Sequence, residues 1–302
     1  MAPGSDDSAP MTQPLELGLI GSAWHGTSLS VLEGIAKTKE IGFDAYDVFE
    51  DPLTTSDEER RLIKETCDEL GLPIRSAVCI ALGLVDFVPA VRRFTLDRCK
   101  AYVDQQAYFG GRNVLLVVGE YYCDLQVFSK EQIFGLVAEN LRELAEHADP
   151  QGIELAIELE PFKHAVANSV HELADLIRLV DHPAVKANAD VSHLHLSGAS
   201  FADVAVLSGM IGHVHVSDCD GRRHGDMPPG RGVTPIKEYL QAILDTGYTG
   251  TVSVELERVP EAERMVELVE EAYRETARIL AELGARDADV RPSAAWHPVR
   301  ST

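Results

Sequence analysis

Short apolar segments alternate with helical segments along most of the chain, and this alternation constrains the fold more than any other feature. Residues 15–20 form a short apolar run, and residues 29–41 carry apolar side chains at helical spacing, followed by Gly42 as a terminator. This order recurs eight times within residues 14–284. Strict alternation is typical of a parallel sheet, and eight units predict an α/β fold of the closed (β/α)8 barrel type, in a single domain.

Capping signals predict where the helices begin. Ser56 and Ser129 each stand three residues before Glu or Gln, which is the pattern of a capping box, and Ser169 stands three residues before Glu172. Thr234 precedes a proline, the order typical of a helix start. Further helices are predicted over residues 89–109, near residues 201–207, and over residues 260–283.

An open, doubly wound sheet is the main alternative fold. Such a sheet commonly carries a Gly-x-Gly-x-x-Gly turn after an early strand, and this sequence contains none. We therefore predict a barrel over residues 14–284. The polar, acidic residues 1–13 are expected to be a disordered lead, and residues 285–302 a C-terminal tail.

The amino-acid composition argues against nucleic-acid binding and against a membrane span. The net charge is −22, which is unfavourable for nucleic-acid binding, and the sole basic cluster is Arg222-Arg223-His224. No apolar run approaches the roughly 18 residues of a membrane span, and the N-terminus does not resemble a secretory signal. The cysteines are odd in number and lack a Cys-x-x-Cys pair, which favours reduced thiols in a cytoplasmic protein. They are Cys67, Cys79, Cys99, Cys123 and Cys219.

Four consecutive predicted strands end on side chains that can bind a metal ion. In a barrel the carboxyl ends of all strands converge on one mouth, so these side chains are expected to lie together. Three carboxylates and one imidazole suit Mn²⁺, Mg²⁺, Co²⁺ or Zn²⁺. The predicted ligands are Glu160, Asp190, His215 and Glu255.

Neighbouring residues leave some of these assignments open. Glu154 and Glu158 have the same parity as Glu160 along their strand, and their roles are undecided. His213 likewise has the parity of His215, which is favoured because it lies nearer the strand end. His25 and His195 are interpreted as ordinary polar residues.

The long polar loop over residues 218–232 is expected to overhang the mouth. It is rich in Gly, Arg, His and Pro. One interpretation is a plain surface loop. The other is a substrate-binding loop, in which Arg222 or Arg223 would hold substrate oxygens.

At these residues the sequence resembles the sugar phosphate isomerase/epimerase superfamily, also called the xylose-isomerase-like or AP-endonuclease-2 family. The resemblance covers nearly the whole barrel. The matching segments are Glu160-Pro161, Asp190-Val191-Ser192-His193, His213-Val214-His215-Val216-Ser217-Asp218, Pro229-Gly230-Arg231-Gly232 and Glu255.

The resemblance to the ketose 3-epimerase branch implies one divalent ion, usually Mn²⁺ or Co²⁺ and here foremost Mn²⁺, bound by the four predicted ligands. It also implies that Glu160 and Glu255 transfer protons and that His193 contacts the substrate. Further predicted substrate contacts are Trp24, in the loop after the first strand, and Lys163 and His164, after the fifth.

The sequence also departs from the pattern of that branch. Counted from Glu160, the position of a second, sugar-binding Glu is Val166, and the position of an Arg after the metal-binding His is Gly221. Lys163 and His164 replace the usual Asn-Arg.

Three hypotheses therefore stay open. The first is a metal-dependent isomerase or epimerase of a small sugar or polyol compound. The second is a lyase or dehydratase on the same site, acting on inososes, dehydroshikimate or oxidised glycosides, and the third is a non-catalytic or phosphodiester-acting relative. His224 and Asp226 are left as further metal or substrate contacts or as remnants of such contacts. A homo-oligomer is an open expectation.

Overall fold

The computed structural model describes residues 14–119, 128–163, 165–257 and 262–287. Eight parallel strands form a closed barrel in sequential order, with β8 paired to β1, which confirms the predicted fold. The strands are β1 Glu16–Ile20, β2 Ala45–Val48, β3 Ile74–Ile80, β4 Asn113–Val117, β5 Glu154–Glu158, β6 Val185–Asp190, β7 Ile211–Val216 and β8 Thr251–Val254.

Helices surround the barrel and follow the strands in the chain. They are α1 Val31–Ile41, α2 Asp57–Leu70, α3 Pro89–Phe109, α4 Lys130–Ala148, α5 Val170–Val180, α6 Val191–Leu196, α7 Ile236–Asp245 and α8 Met265–Glu282. Within the described residues, no helix combines the length and the hydrophobicity that crossing a membrane requires.

The capping signals are largely confirmed. Full capping boxes form at Ser56 and Ser129, and the Ser169 hydroxyl accepts the backbone N–H of Glu172. A further box forms at Ser30. The start of α7 differs from the prediction because Pro235 precedes its first turn without a side-chain cap.

The chain departs from the prediction most clearly after β6. The helix α6 begins at once, because the carboxylate of Asp190 accepts the backbone N–H of His193 at 2.7 Å and so caps it. The helix predicted near residues 201–207 is a 3-10 turn over Asp203–Leu207. The last helix begins at Met265, and Pro260 lies outside the described residues.

Alternation along each strand decides which side chains enter the barrel. In β5, Leu155 and Ile157 belong to the apolar core between strands and helices, whereas Glu158 lies with the polar groups inside the barrel. In β7, Val214 and Val216 pack outward in the same way. The inward residues near the carboxyl ends of the strands are therefore free to carry function.

The opposite end of the barrel is closed by the chain termini of the described part. The Leu15 N–H donates to the carbonyl of Ala285 at 2.7 Å, and the buried Arg286 forms an ion pair with Asp44. Ala285 and Arg286, predicted to begin a tail, thus pack on the barrel. The predicted lead 1–13 and residues 288–302 lie outside the described residues.

Candidate active site

Four buried ionisable side chains meet at the carboxyl ends of strands β5 to β8. Each offers one ligand atom, and these atoms all lie within 4.8 Å of one another. Glu158 and Asp190 are the last residues of β5 and β6, His215 lies near the end of β7, and Glu255 directly follows β8. Converging strand ends therefore produce this group, which we call the ligand set: Glu158, Asp190, His215 and Glu255.

The structure brings Glu158, rather than the predicted Glu160, together with the other three predicted residues. Strand β5 ends its pairing with β6 at Glu158, opposite Asn188. Glu160 lies two residues further on, in a second group with Glu158 and His193. Both glutamates have the parity that points inward, and Pro161 suggested a strand end at Glu160. Parity alone could not tell which of the two reaches the other ligands.

The buried groups of the ligand set shift one another's pKa values. Burial raises the pKa of Glu255 well above its usual range. Burial opposes the charge on His215 as well, but Glu255 at 3.0 Å and Glu158 at 3.5 Å raise the pKa of this imidazole well above its usual value. Burial also raises the pKa of Glu158, but His215 and His193 outweigh it and lower this pKa to about 2. A bound divalent ion would neutralise the same carboxylates.

The donor chemistry of the ligand set fits a divalent metal ion. One oxygen of Asp190 accepts the Ser192 hydroxyl at 2.8 Å and the N–H of His193 at 2.7 Å. The other, Oδ2, is buried and has no hydrogen-bond partner among the described residues. The Asn188 side chain donates to Glu158 at 2.7 Å and fixes its orientation. Three oriented carboxylates and an imidazole match Mn²⁺ and related ions.

His193, predicted to contact the substrate, borders the ligand set. Its Nδ1 lies 2.8 Å from the carbonyl oxygen of Leu159, so this nitrogen carries a proton and donates it. Its Nε2 is buried without a partner among the described residues. Glu160 and Glu158 each lie 4.0 Å from Nδ1. The imidazole is thus held by one nitrogen, and the other is buried without a partner among the described residues.

His224 and Asp226, whose role the sequence left open, also lie beside the ligand set. The His224 ring contacts the ring of His193 at a centroid distance of 4.5 Å and that of Phe162 at 5.8 Å. Its Nε2 lies 2.7 Å from Asp226 Oδ1. Burial disfavours a charged imidazole, but this carboxylate outweighs it and raises the pKa of His224 to about 10.

The loop over residues 218–234 carries Arg222 and Arg223 as exposed residues. Their backbone N–H groups donate to Asp220 at 2.8 and 2.7 Å. Among the described arginines, these two alone have side chains without a hydrogen bond or an ion pair. Lys163 is exposed in the loop after β5, and His164 lies outside the described residues.

Trp24 is a core residue, which corrects its assignment as a substrate contact. The side chain is buried, its indole N–H donates to the Thr38 hydroxyl at 3.0 Å, and Gly34 leaves room for the ring. A position in a strand-exit loop predicted contact with the mouth. The aromatic ring is stabilised instead by burial against α1.

A polar network deeper in the barrel was not predicted from the sequence. His213 Nε2 lies 2.8 Å from Asp47 of β2, across the barrel interior, and both side chains are fully buried. Asp47 also accepts the N–H of Ser76 at 3.0 Å. The signal was available, because Asp47 interrupts an apolar strand at an inward-facing position.

Curated relatives of the chain include enzymes of two reaction types. It is 29% identical over 243 residues to a 3-dehydroshikimate dehydratase of Pseudomonas putida, a match that covers 76% of this chain and 36% of that enzyme. It is 32% identical over 172 residues to a fructoselysine 3-epimerase of Shigella flexneri, covering 55% of this chain and 60% of that enzyme. The chain thus matches less than two thirds of the length of either relative.

A solved structure of the IolI protein with a bound zinc atom resembles the barrel, with a TM-score of 0.79, 18% identity, and coverage of 89% of this chain and 99% of that one. The two curated relatives named above are enzymes, and the ionisable groups at this mouth agree with an enzyme here as well. Residues 35–283 match the family model described as xylose isomerase-like TIM barrel, and the chain belongs to that family.

Proposed function

We propose that the protein is a divalent-metal-dependent enzyme that removes a proton from the carbon next to a carbonyl group in a small sugar or polyol compound. The first candidate outcome is isomerisation or epimerisation. The ligand set is the observation that carries this proposal. Apolar side chains would stabilise the barrel better than four buried ionisable groups at four strand ends, so these groups indicate a function. Mn²⁺ is the proposed ion, with Mg²⁺, Co²⁺ and Zn²⁺ as alternatives.

The metal would supply a positive charge that polarises the substrate carbonyl and stabilises the negative charge left by deprotonation. Glu158 and Glu255 then divide the proton transfer. They come from β5 and from the end of β8, which lie far apart around the ring of strands. One carboxylate takes the proton from the substrate carbon, and the other returns a proton to the opposite face or to the neighbouring carbon.

Other residues would orient the substrate. We propose that His193 Nε2 contacts a substrate oxygen, which its buried, unpartnered position supports. The unpaired guanidinium groups of Arg222 and Arg223 support the proposal that their loop binds the outer part of the substrate. Lys163 and His164 are proposed to contribute from the loop after β5.

A lyase that releases water is the second candidate. Proton abstraction beside a carbonyl is also the first step of such an elimination. The His224–Asp226 pair favours this outcome because it adds an acid–base group that the two carboxylates do not require. The dehydratase among the curated relatives points in the same direction.

Solvent-isotope exchange tests the shared first step. The metal-stripped protein would be reloaded with Mn²⁺ and incubated in deuterated buffer with D-fructose, fructoselysine, an inosose and 3-dehydroshikimate. We expect one compound to gain deuterium beside its carbonyl only when metal is present, as followed by mass spectrometry. Glu255→Gln should slow this exchange by at least about 10²-fold.

The mass of the product then separates the candidates, since an isomer keeps the substrate mass and an elimination product lacks one water. His171→Gln, at an exposed site at the start of α5, is the control and should exchange like the wild type. A metal-loaded protein that converts one of these compounds without any solvent deuterium in product or substrate would contradict the proton-transfer mechanism.

A further inference from the structure

The His224–Asp226 pair has a defined, largely buried position at the mouth. The His224 ring makes edge contacts with the rings of His193 and Phe162, and its Nε2 lies 2.7 Å from Asp226 Oδ1. The Asp226 side chain is almost fully buried although it belongs to a polar loop. A carboxylate that orients one imidazole nitrogen leaves the other to meet a ligand. Nε2 lies at ion-pair distance from Asp226 but outside hydrogen-bond geometry, and Nδ1 is the other nitrogen that a substrate could meet.

The loop backbone fixes Asp226 in an unfavourable conformation. Its φ of 39° lies in the left-handed region, where an Asp is tolerated at a cost. On either side, Asp218 and Met227 exchange two backbone hydrogen bonds of 2.8 and 2.9 Å. These two hydrogen bonds hold the strained backbone of Asp226 in place. In this conformation the Asp226 carboxylate lies next to His224.

A chain of hydroxyl groups ties this pair to the ligand set. Ser217 Oγ lies 3.4 Å from Asp226 Oδ1 and 3.0 Å from Ser192 Oγ. Ser192 in turn donates to Asp190 at 2.8 Å. The position of His224 is therefore set relative to the ligand set by buried contacts, as a group that acts on the same bound molecule requires.

Epimerisation does not require the His224–Asp226 pair. A proton leaves and returns at carbon, and Glu158 and Glu255 suffice for both steps. Elimination needs one group more, because hydroxide is a poor leaving group unless a positioned acid protonates it. An imidazolium in contact with aromatic rings and a carboxylate is such an acid.

We propose that His224, oriented by Asp226, is a further catalytic residue that protonates a substrate hydroxyl as it leaves as water. This inference rests on the proposed proton abstraction and selects its elimination outcome. The substrate class is then a β-hydroxy carbonyl compound derived from a sugar or polyol. Asp226 acts as a positioning residue.

The steps balance without an oxidant or reductant. A carboxylate takes a proton from the carbon next to the carbonyl, and the electron pair of that C–H bond moves into the carbonyl group. This pair then forms the new C=C bond, while the C–O bond on the next carbon breaks and its electron pair stays on oxygen. His224 gives that oxygen a proton, water leaves, and proton exchange with solvent restores the carboxylate and the imidazolium.

Separating the two steps tests the proposal. In deuterated buffer with Mn²⁺, His224→Gln should keep deuterium exchange at the substrate carbon within about 3-fold of the wild type and lose water release by at least about 10²-fold. Asp226→Asn should weaken water release less than His224→Gln, because it misorients the acid without removing it. His171→Gln again serves as the control, and thermal unfolding verifies that each variant is folded.

Several results would overturn the inference. A wild-type product of unchanged mass would do so, as would water release that survives in His224→Gln. Equal loss of exchange and water release in a folded, metal-loaded His224→Gln would place this residue in the first step instead. If the wild type shows no exchange with any compound, the proposed proton abstraction is contradicted. That result differs from one in which exchange occurs and His224 plays no part in water release.

A measurement without substrate keeps the assignment testable in that case. The imidazole signals of Mg²⁺-loaded wild type and His224→Gln identify His224 by difference in NMR spectra. We expect the ring to be protonated at about pH 8, because the Asp226 carboxylate at 2.7 Å outweighs the burial that disfavours a charged imidazole. A neutral ring at that pH, or one unaffected by Asp226→Asn, would contradict its role as a proton donor.

Discussion

At the scale of single residues, two glutamates on one strand have different surroundings and should have different roles. Glu158 lies in the ligand set, whereas Glu160 lies beside Glu158 and His193. Glu158→Gln should weaken Mn²⁺ binding by at least about 100-fold, because an amide is a poorer ligand than a carboxylate. Glu160→Gln should weaken it by at most about 10-fold, the lower end of the effect of an outer-shell partner.

Titration calorimetry with Mn²⁺ measures both variants against the wild type. Equal affinities in Glu158→Gln and the wild type, or a larger loss in Glu160→Gln, would return Glu160 to the ligand set. The sequence predicts the other three members of the ligand set, because each lies at or next to the end of a recognisable strand. It could not separate Glu158 from Glu160, since the deciding quantity is the last residue paired with β6, which depends on tertiary register rather than on local pattern.

At the scale of elements, the loop after β7 depends on one buried carboxylate. Asp218 accepts four backbone N–H groups at 2.8–3.0 Å, and Gly232 allows this approach because a Cβ there would lie 2.3 Å from the carboxylate. The N–H groups belong to Cys219, Gly230, Gly232 and Thr234. This carboxylate therefore shapes the loop that carries Arg222, His224 and Asp226.

We expect Asp218→Ala to lower the free energy of unfolding by about 3 kcal/mol, because buried N–H groups lose a charged acceptor. It should also raise KM by disordering the loop. Asp220→Ala removes an acceptor of two exposed N–H groups and should cost about 0.5 kcal/mol. Urea unfolding and steady-state kinetics compare the two, and equal costs would show that burial of Asp218 does not matter.

Helix starts were predicted correctly where the sequence signal lies within a few neighbouring residues. Capping boxes at Ser56 and Ser129 need only four residues of sequence. The helix α6 escaped prediction because Asp190 ends a strand and caps a helix at the same time. A residue with two structural roles gives no separate boundary signal, so the chain after β6 could not be divided correctly from the sequence.

At the scale of the whole molecule, the barrel was predictable because strand and helix repeat eight times. Contacts across its interior were not, because they join residues far apart in the chain. Asp47 and His213 are 166 residues apart and meet at 2.8 Å. Alternation placed both side chains inward, but which inward polar groups pair depends on how the strands are staggered around the closed barrel.

The Asp47–His213 pair should make the stability of the barrel depend on pH. Burial raises the pKa of Asp47, but His213 and its hydrogen bond outweigh that effect and hold it below the usual 3.8. A depressed pKa in the folded state stabilises the fold above the unfolded pKa, and this contribution is lost as the pH falls through the folded pKa. Asp47→Asn should therefore cost about 2 kcal/mol near pH 7, because the buried donors of Ser76 and His213 lose a charged acceptor, and progressively less below about pH 4.

Urea unfolding of wild type and Asp47→Asn at several pH values measures this difference. Asp68→Asn, which breaks an exposed pair with Lys64, is the matched control and should cost under about 0.5 kcal/mol throughout. A cost of Asp47→Asn that stays constant down to about pH 3 would mean that the pKa of Asp47 is not lowered by folding, so that its charge adds nothing to stability. The polar layer beneath the ligand set would then owe its stability to neutral hydrogen bonds and packing.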